Sequence, residues 1–121
     1  MSDKKKSIGF KHAWDGILVV LKSERNFRIH LLIGSIVLLL GCALNLSLGK
    51  WFAIILVIGL VLVAEMFNTA IERMLDYLNP SIHPSAKMIK DIAAGTVLIS
   101  AMAAVIIGMI IFIPELYQMM F

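Results

Sequence analysis

Residues 51–76 read WFAIILVIGLVLVAEMFNTAIERMLD. The stretch begins as an apolar run and ends as a line of polar groups. From Trp51 to Ile71 only Glu65 and Asn68 interrupt it. A helix that crosses a bilayer needs about 20 predominantly apolar residues, so this run is expected to span a membrane. Offsets of 0, 3, 7 and 11 from Glu65 bring Glu65, Asn68, Glu72 and Asp76 to one helical face. Thr69 falls beside them, and the opposite positions Phe67, Ile71 and Met74 are apolar. Ionisable groups at membrane depth are costly, face a protein interior or a water-filled site, and mark function by default. Asn and Thr also serve as structural contacts between membrane helices. Two carboxylates with a third nearby fit that structural role badly, because they repel unless a cation or a proton joins them.

Two more runs have the same character, at 31–48 and 92–113. The 121-residue chain is 60% hydrophobic and only 16% charged, too apolar for a soluble domain of this size. The expected fold is all-α and integral to a membrane. It has one domain over 1–121, with transmembrane spans at 31–48, 51–71 and 92–113. The first run starts too far from the N-terminus for a signal peptide, and no small-residue cleavage site follows it, so it reads as retained. Cys42 is the single cysteine. It excludes a disulfide within the chain and reads as a buried free thiol.

The net charge of +3 does not point to nucleic acid, because the basic residues flank the apolar runs. Lys4, Lys5, Lys6, Lys11, Lys22, Arg25 and Arg28 precede the first span; Arg73, Lys87 and Lys90 lie between the second and third. Only Lys50 occupies the turn between the first and second. The positive-inside rule then places the N-terminus and the 72–91 loop in the cytoplasm and the C-terminus outside. Phe10, Ala13, Trp14, Ile17 and Leu21 recur at helical spacing, which predicts an amphipathic helix over 7–28 on the inner membrane surface. Glu24 extends that stripe. It reads either as a solvated acid near Arg28 at i+4 or as part of a site.

Residues 79–91, NPSIHPSAKMIKD, carry two prolines that prevent a continuous helix and bring His83, Lys87, Lys90 and Asp91 to the cytoplasmic side. Paired carboxylates suit Mg2+, which takes oxygen ligands and shares them with phosphates. A lysine neutralises phosphate as a point charge. A carboxylate at membrane depth is placed to accept the proton of a lipid hydroxyl. The sequence has no Walker A motif, no G-x-G-x-x-G loop and no zinc-type His/Cys spacing. Besides an enzyme, two classes remain open: a small proton or cation transporter subunit, and a structural assembly partner.

The run E-x-x-N-T-A-I-E-x-x-x-D at 65–76, His83, and K-D-I-A-A-G-T-V-L from Lys90 resemble the signature of the prokaryotic diacylglycerol kinase family. The segment E-R-N-F-R-I-H at 24–30 and the three spans are similar as well, and the variants are most like the Gram-positive undecaprenol kinase branch. The resemblance implies a multi-pass protein of the bacterial cell membrane that assembles as a homotrimer. It implies transfer of the γ-phosphoryl of ATP to a membrane lipid alcohol, undecaprenol first and diacylglycerol as the alternative. By the same resemblance Glu65 is the general base, and Glu24 and Glu72 are the Mg2+ ligands beside the ATP phosphates. Lys90 and Asp91 are nucleotide contacts, as are Ser81, Ile82 and His83 in the loop and His12, which stands where other members have a tyrosine. Asn68 stands beside the base. Trp14, Glu65 and Asn68 are the candidate contacts to the lipid.

Overall fold

The computed structural model describes residues 2–78 and 84–121, with side chains described from Gly9 onward. They form four helices: α1 (Ser2–Ser23), α2 (Arg25–Ala43), α3 (Leu48–Leu78) and α4 (Pro84–Met120). Helices α2, α3 and α4 are each long and apolar enough to cross a membrane. No strand is present among the described residues.

The surface helix ends earlier than its apolar spacing predicts. Glu24 takes an extended conformation, with φ −108° and ψ 110°, and separates α1 from α2. Arg28 fixes the break: its guanidinium donates to the carbonyl oxygens of Leu21 and Lys22, each at 2.9 Å. These are carbonyls of the last turn of α1, which have no partner within the helix, and a cation there also complements the helix dipole. Arg28 is thereby taken from Glu24, so the i+4 pair does not form. Phe27, buried, belongs to α2 rather than to the surface helix.

The turn from α2 to α3 is a Schellman motif. The Leu46 N–H bonds to the Gly41 carbonyl and the Asn45 N–H to that of Cys42, both at 3.4 Å. Asn45 takes the left-handed conformation, with φ 52°, that this motif requires and that Asn tolerates. Leu46 then folds back into the core. Gly41 makes room for it: a Cβ there would lie 2.8 Å from Cη2 of Trp51 and 3.1 Å from Cδ1 of Leu46. The first span therefore stops at Ala43, not at 48, and α3 begins at Leu48. It continues to Leu78, beyond the 51–71 apolar run, because the polar face from Glu65 to Asp76 finds partners and needs no helix break. Pro84 opens α4 at the position where its missing N–H costs nothing.

Helix α3 is the centre of the bundle. It packs against both α2 and α4, and α1 touches α2 and α3. The core lies at the turn end, where Leu46, Ile54, Ile111 and Phe112 bury one another beneath Trp51, Val37 and Leu116. Ile54 is 1% exposed. Lys50 donates to Glu115 there and ties the start of α3 to the end of α4. The polar site lies at the opposite end. The outward faces of all three long helices stay apolar and uncovered, with Leu32, Leu39, Leu56, Phe67, Leu98 and Ile110 exposed. Cys42 is exposed on α2 rather than buried. Its neighbour Gly41 takes the inward position, which leaves Cys42 on the outward face.

Candidate active site

Glu65 is 4% exposed, inside a helix whose other buried groups are Ile54, Val61, Ala64 and Thr69. Its Oε1 lies 3.1 Å from Nε2 of His30 on α2. One turn on, Nδ2 of Asn68 donates to Oε1 of Glu72 at a long 3.4 Å. The other amide atom, Oδ1, is buried and has no protein partner. Glu24 sits across from this stripe at the α1–α2 junction, where its carboxylate is 3.9 Å from the Arg73 guanidinium. Arg73 also donates to the Ser23 hydroxyl, which in turn donates to the Val19 carbonyl. The extended break at Glu24 and the polar end of α3 thus meet through Arg73. The charges of Glu24 and Glu72 both reach Glu65.

The stripe continues beyond that cluster. Lys90 donates to Asp76 at 2.6 Å and ties the start of α4 to the end of α3. Lys87 donates to Asp91 at 2.8 Å. Lys90 and Asp91 are therefore neighbours in sequence with separate partners. His12 and Trp14 are exposed on α1. Ser81, Ile82 and His83 lie outside the described residues. The structure therefore brings together Glu24, Glu65, Asn68 and Glu72, adds Asp76 with Lys90 at the rim, and leaves His12 and Trp14 on the surface helix.

A helix rises about 1.5 Å per residue, and a hydrocarbon core is about 30 Å thick. With Trp51 taken at one boundary, Glu65 falls about 21 Å into the core and Glu72 about 31 Å, at the far boundary. Asp76 then projects about 8 Å into water. One continuous helix carries carboxylates from inside the apolar layer to the aqueous phase.

The donor set is hard oxygen: two carboxylates, Glu24 and Glu72, and the unpartnered amide oxygen of Asn68. That chemistry fits Mg2+, with water and phosphate oxygens completing the shell. Among the described residues no group of three His, Cys, Asp or Glu is preassembled for a metal. A few protein ligands completed by phosphate are what Mg2+ sites in phosphoryl-transfer proteins commonly use.

Sequence reasoning gave two site residues no role. Arg73 was counted only as an orienting cation, and His30 only as part of the 24–30 similarity. An ionisable side chain at the edge of the first apolar run is itself a signal, because such residues are rare near spans and pair with one another. His30 lies at that edge, and it faces Glu65.

The sequence profile of the prokaryotic diacylglycerol kinase family matches residues 11–112. The undecaprenol kinase of Bacillus subtilis (strain 168) is 42% identical over 107 residues, covering 88% of this chain and 87% of that one. The diacylglycerol kinase of Synechocystis sp. is 38% identical over 114 residues, covering 93% of this chain and 65% of its own. That of Helicobacter pylori (strain J99) is 31% identical over 109 residues, covering 82% and 85%. The match spans the α1–α2 junction, the polar end of α3 and most of α4, so the chain belongs to the prokaryotic diacylglycerol kinase family.

Proposed function

We propose that this protein is a membrane lipid kinase that transfers the γ-phosphoryl of ATP to the hydroxyl of undecaprenol. The observation that carries the reading is Glu65. It is a carboxylate buried within the apolar layer, on the same helical face as Asn68 and Glu72 and with Glu24 across from them. A base is thereby set where a lipid hydroxyl resides, one helical step from groups suited to metal and phosphate. The undecaprenol kinase of Bacillus subtilis supports the acceptor. Diacylglycerol is the second reading, favoured by the relative from Synechocystis sp..

Glu65 takes the proton as the lipid O–H bond breaks. The lipid oxygen forms its bond to the γ-phosphorus while the bridge to the β-phosphate breaks, and the electron pair leaves on ADP. Such transfer depends chiefly on positioning and charge neutralisation. Glu24 and Glu72 would hold Mg2+, which when bound neutralises phosphate charge. Lys90, Asp91 and His12 are assigned to the nucleotide, and the family resemblance gives Ser81, Ile82 and His83 the same role. Trp14 and Asn68 border the lipid. The N-terminus, the end of α3 and the start of α4 lie on the cytoplasmic side, where ATP is available, and the C-terminus lies outside. Three copies assemble, covering the apolar outer faces of the helices.

A transporter is the weaker account. The hydroxyls of Thr96 and Ser100 donate to the Ala93 and Val97 carbonyls of their own helix. Neither is free to line a polar path. The test of the kinase is purified protein in vesicles carrying either a C55 polyprenol or diacylglycerol, supplied with γ-labelled ATP. Label is expected in polyprenyl phosphate ahead of phosphatidic acid. Preference for diacylglycerol would reverse the substrate assignment, and no labelled lipid in either vesicle would overturn the kinase reading.

A further inference from the structure

Helices α2, α3 and α4 enclose an apolar chamber of about 400 Å³ open on one side, walled by Ile33, Gly34, Ile58, Val61, Ala104 and Phe112 among others. His30 is the single polar side chain in that wall. Its side chain is 27% exposed, and its Nε2 lies 3.1 Å from Oε1 of Glu65. This contact joins two different helices at the point where the chamber meets the catalytic stripe. Among the described residues it is the one contact of the Glu65 carboxylate with a basic side chain. An apolar wall offers no other donor and little water, so the imidazole decides which way the carboxylate faces. The contact is to Oε1 alone, which leaves the other carboxylate oxygen to accept a proton.

We propose that His30 is a positioning residue for phosphoryl transfer: it holds the Glu65 carboxylate by one oxygen so that the other meets the lipid hydroxyl. The carboxylates nearest Glu65 in the site are Glu24, from the α1–α2 junction, and Glu72, farther along α3 on the interface side. His30 approaches Glu65 from the chamber side, on a different helix. The inference rests on Glu65 being the base. It adds a residue from a second helix, so that the catalytic geometry depends on α2 and α3 keeping their register.

The test compares His30→Leu, His30→Gln, Glu65→Gln and the double variant His30→Leu/Glu65→Gln in vesicles with saturating lipid alcohol and varied ATP. Loss of positioning costs about 10²-fold in rate, so His30→Leu is expected to lower kcat by about that factor with the KM for ATP unchanged. The glutamine amide can still donate a hydrogen bond, and His30→Gln is expected to recover kcat to within about tenfold of the parent. Added to Glu65→Gln, His30→Leu is expected to change nothing further, because residues acting as a unit are non-additive. Parental kcat in His30→Leu, equal loss in His30→Gln and His30→Leu, or a full additional loss in the double variant would each overturn the assignment. A dead Glu65→Gln beside a normal His30→Leu would remove His30 alone, whereas parental turnover in Glu65→Gln would remove the base and His30 with it.

Discussion

Glu65→Gln is the substitution that isolates chemistry from structure. Glutamine has nearly the same shape, and its carbonyl oxygen can take the place of Oε1 beside Nε2 of His30. The site is 4% exposed, so any change in volume would be felt, and this change has almost none. What is lost is the ability to take a proton. General-base catalysis contributes about 10²–10⁴ in rate, or about 3–5 kcal/mol of barrier. We predict that kcat falls by that factor while the KM for ATP is unchanged, because the nucleotide groups lie farther along α3 and on α4. The assay is initial-rate transfer of label from γ-labelled ATP to lipid in vesicles, with thermal unfolding measured on the same preparation. Variant unfolding should match the parent within a few degrees. A variant that turns over within tenfold of the parent, at matched folding, would refute the assignment of Glu65 as base.

The remaining predictions address metal, turn and assembly. Glu24→Ala and Glu72→Ala should each raise the Mg2+ concentration for half-maximal rate, since a single carboxylate rarely holds Mg2+ well; metal titrations that overlay the parent's would remove both as ligands. Gly41→Ala places a Cβ 2.8 Å from the Trp51 ring. Overpacking costs about 1–3 kcal/mol, offset by up to about 1 from better helix propensity. The unfolding temperature should therefore drop with kcat kept, and an unchanged melt would show that the ring moves aside freely. Light scattering with detergent subtracted should give a trimer, and a monomeric mass for active protein would reject the assembly. Mixing Glu65→Gln with Glu72→Ala chains should restore partial activity where a site draws residues from two chains, and no recovery would reject that sharing alone.

Much of the fold was legible because lipid is an undemanding solvent to write for. The runs at 31–48, 51–71 and 92–113 each correspond to a long helix, since every backbone group in a bilayer must bond within the segment. Their ends were not legible. Apolarity marks where a helix enters lipid, not where it stops. Leu44, Leu46 and Leu48 extend the first apolar run, yet the helix ends at Ala43 because Asn45 reaches the left-handed conformation and Leu46 turns inward. Asn-centred turns carry that signal only once the closing hydrophobic contact is known, and that contact comes from Ile111 and Phe112, sixty-odd residues away. Likewise α1 was drawn through 28 because its apolar stripe has no punctuation. The stop is supplied by Arg28 folding back onto carbonyls, a contact between side chain and backbone with no compositional mark.

The site divides along the same line. Glu65, Asn68, Glu72 and Asp76 were legible as one face because helical spacing acts over four residues and needs no tertiary information. On its own segment Glu24 stays between two readings; the resemblance favours a site role, and the structure puts its carboxylate 3.9 Å from Arg73, which lies off the stripe of α3. His30 was invisible for the opposite reason. No ionisable residue of α2 lies three or four positions from it, so no spacing draws attention to it, and its meaning is carried by the 3.1 Å contact across to Glu65. Periodicity reports what one helix gathers. On the proposed reading the buried carboxylate must also be aimed, and the basic group beside it comes from a different helix: at one-turn spacing on its own helix Val61 has no donor and the Asn68 amide is turned to Glu72. That geometric demand makes a lone ionisable residue near the edge of another span informative, provided a carboxylate lies at the same depth.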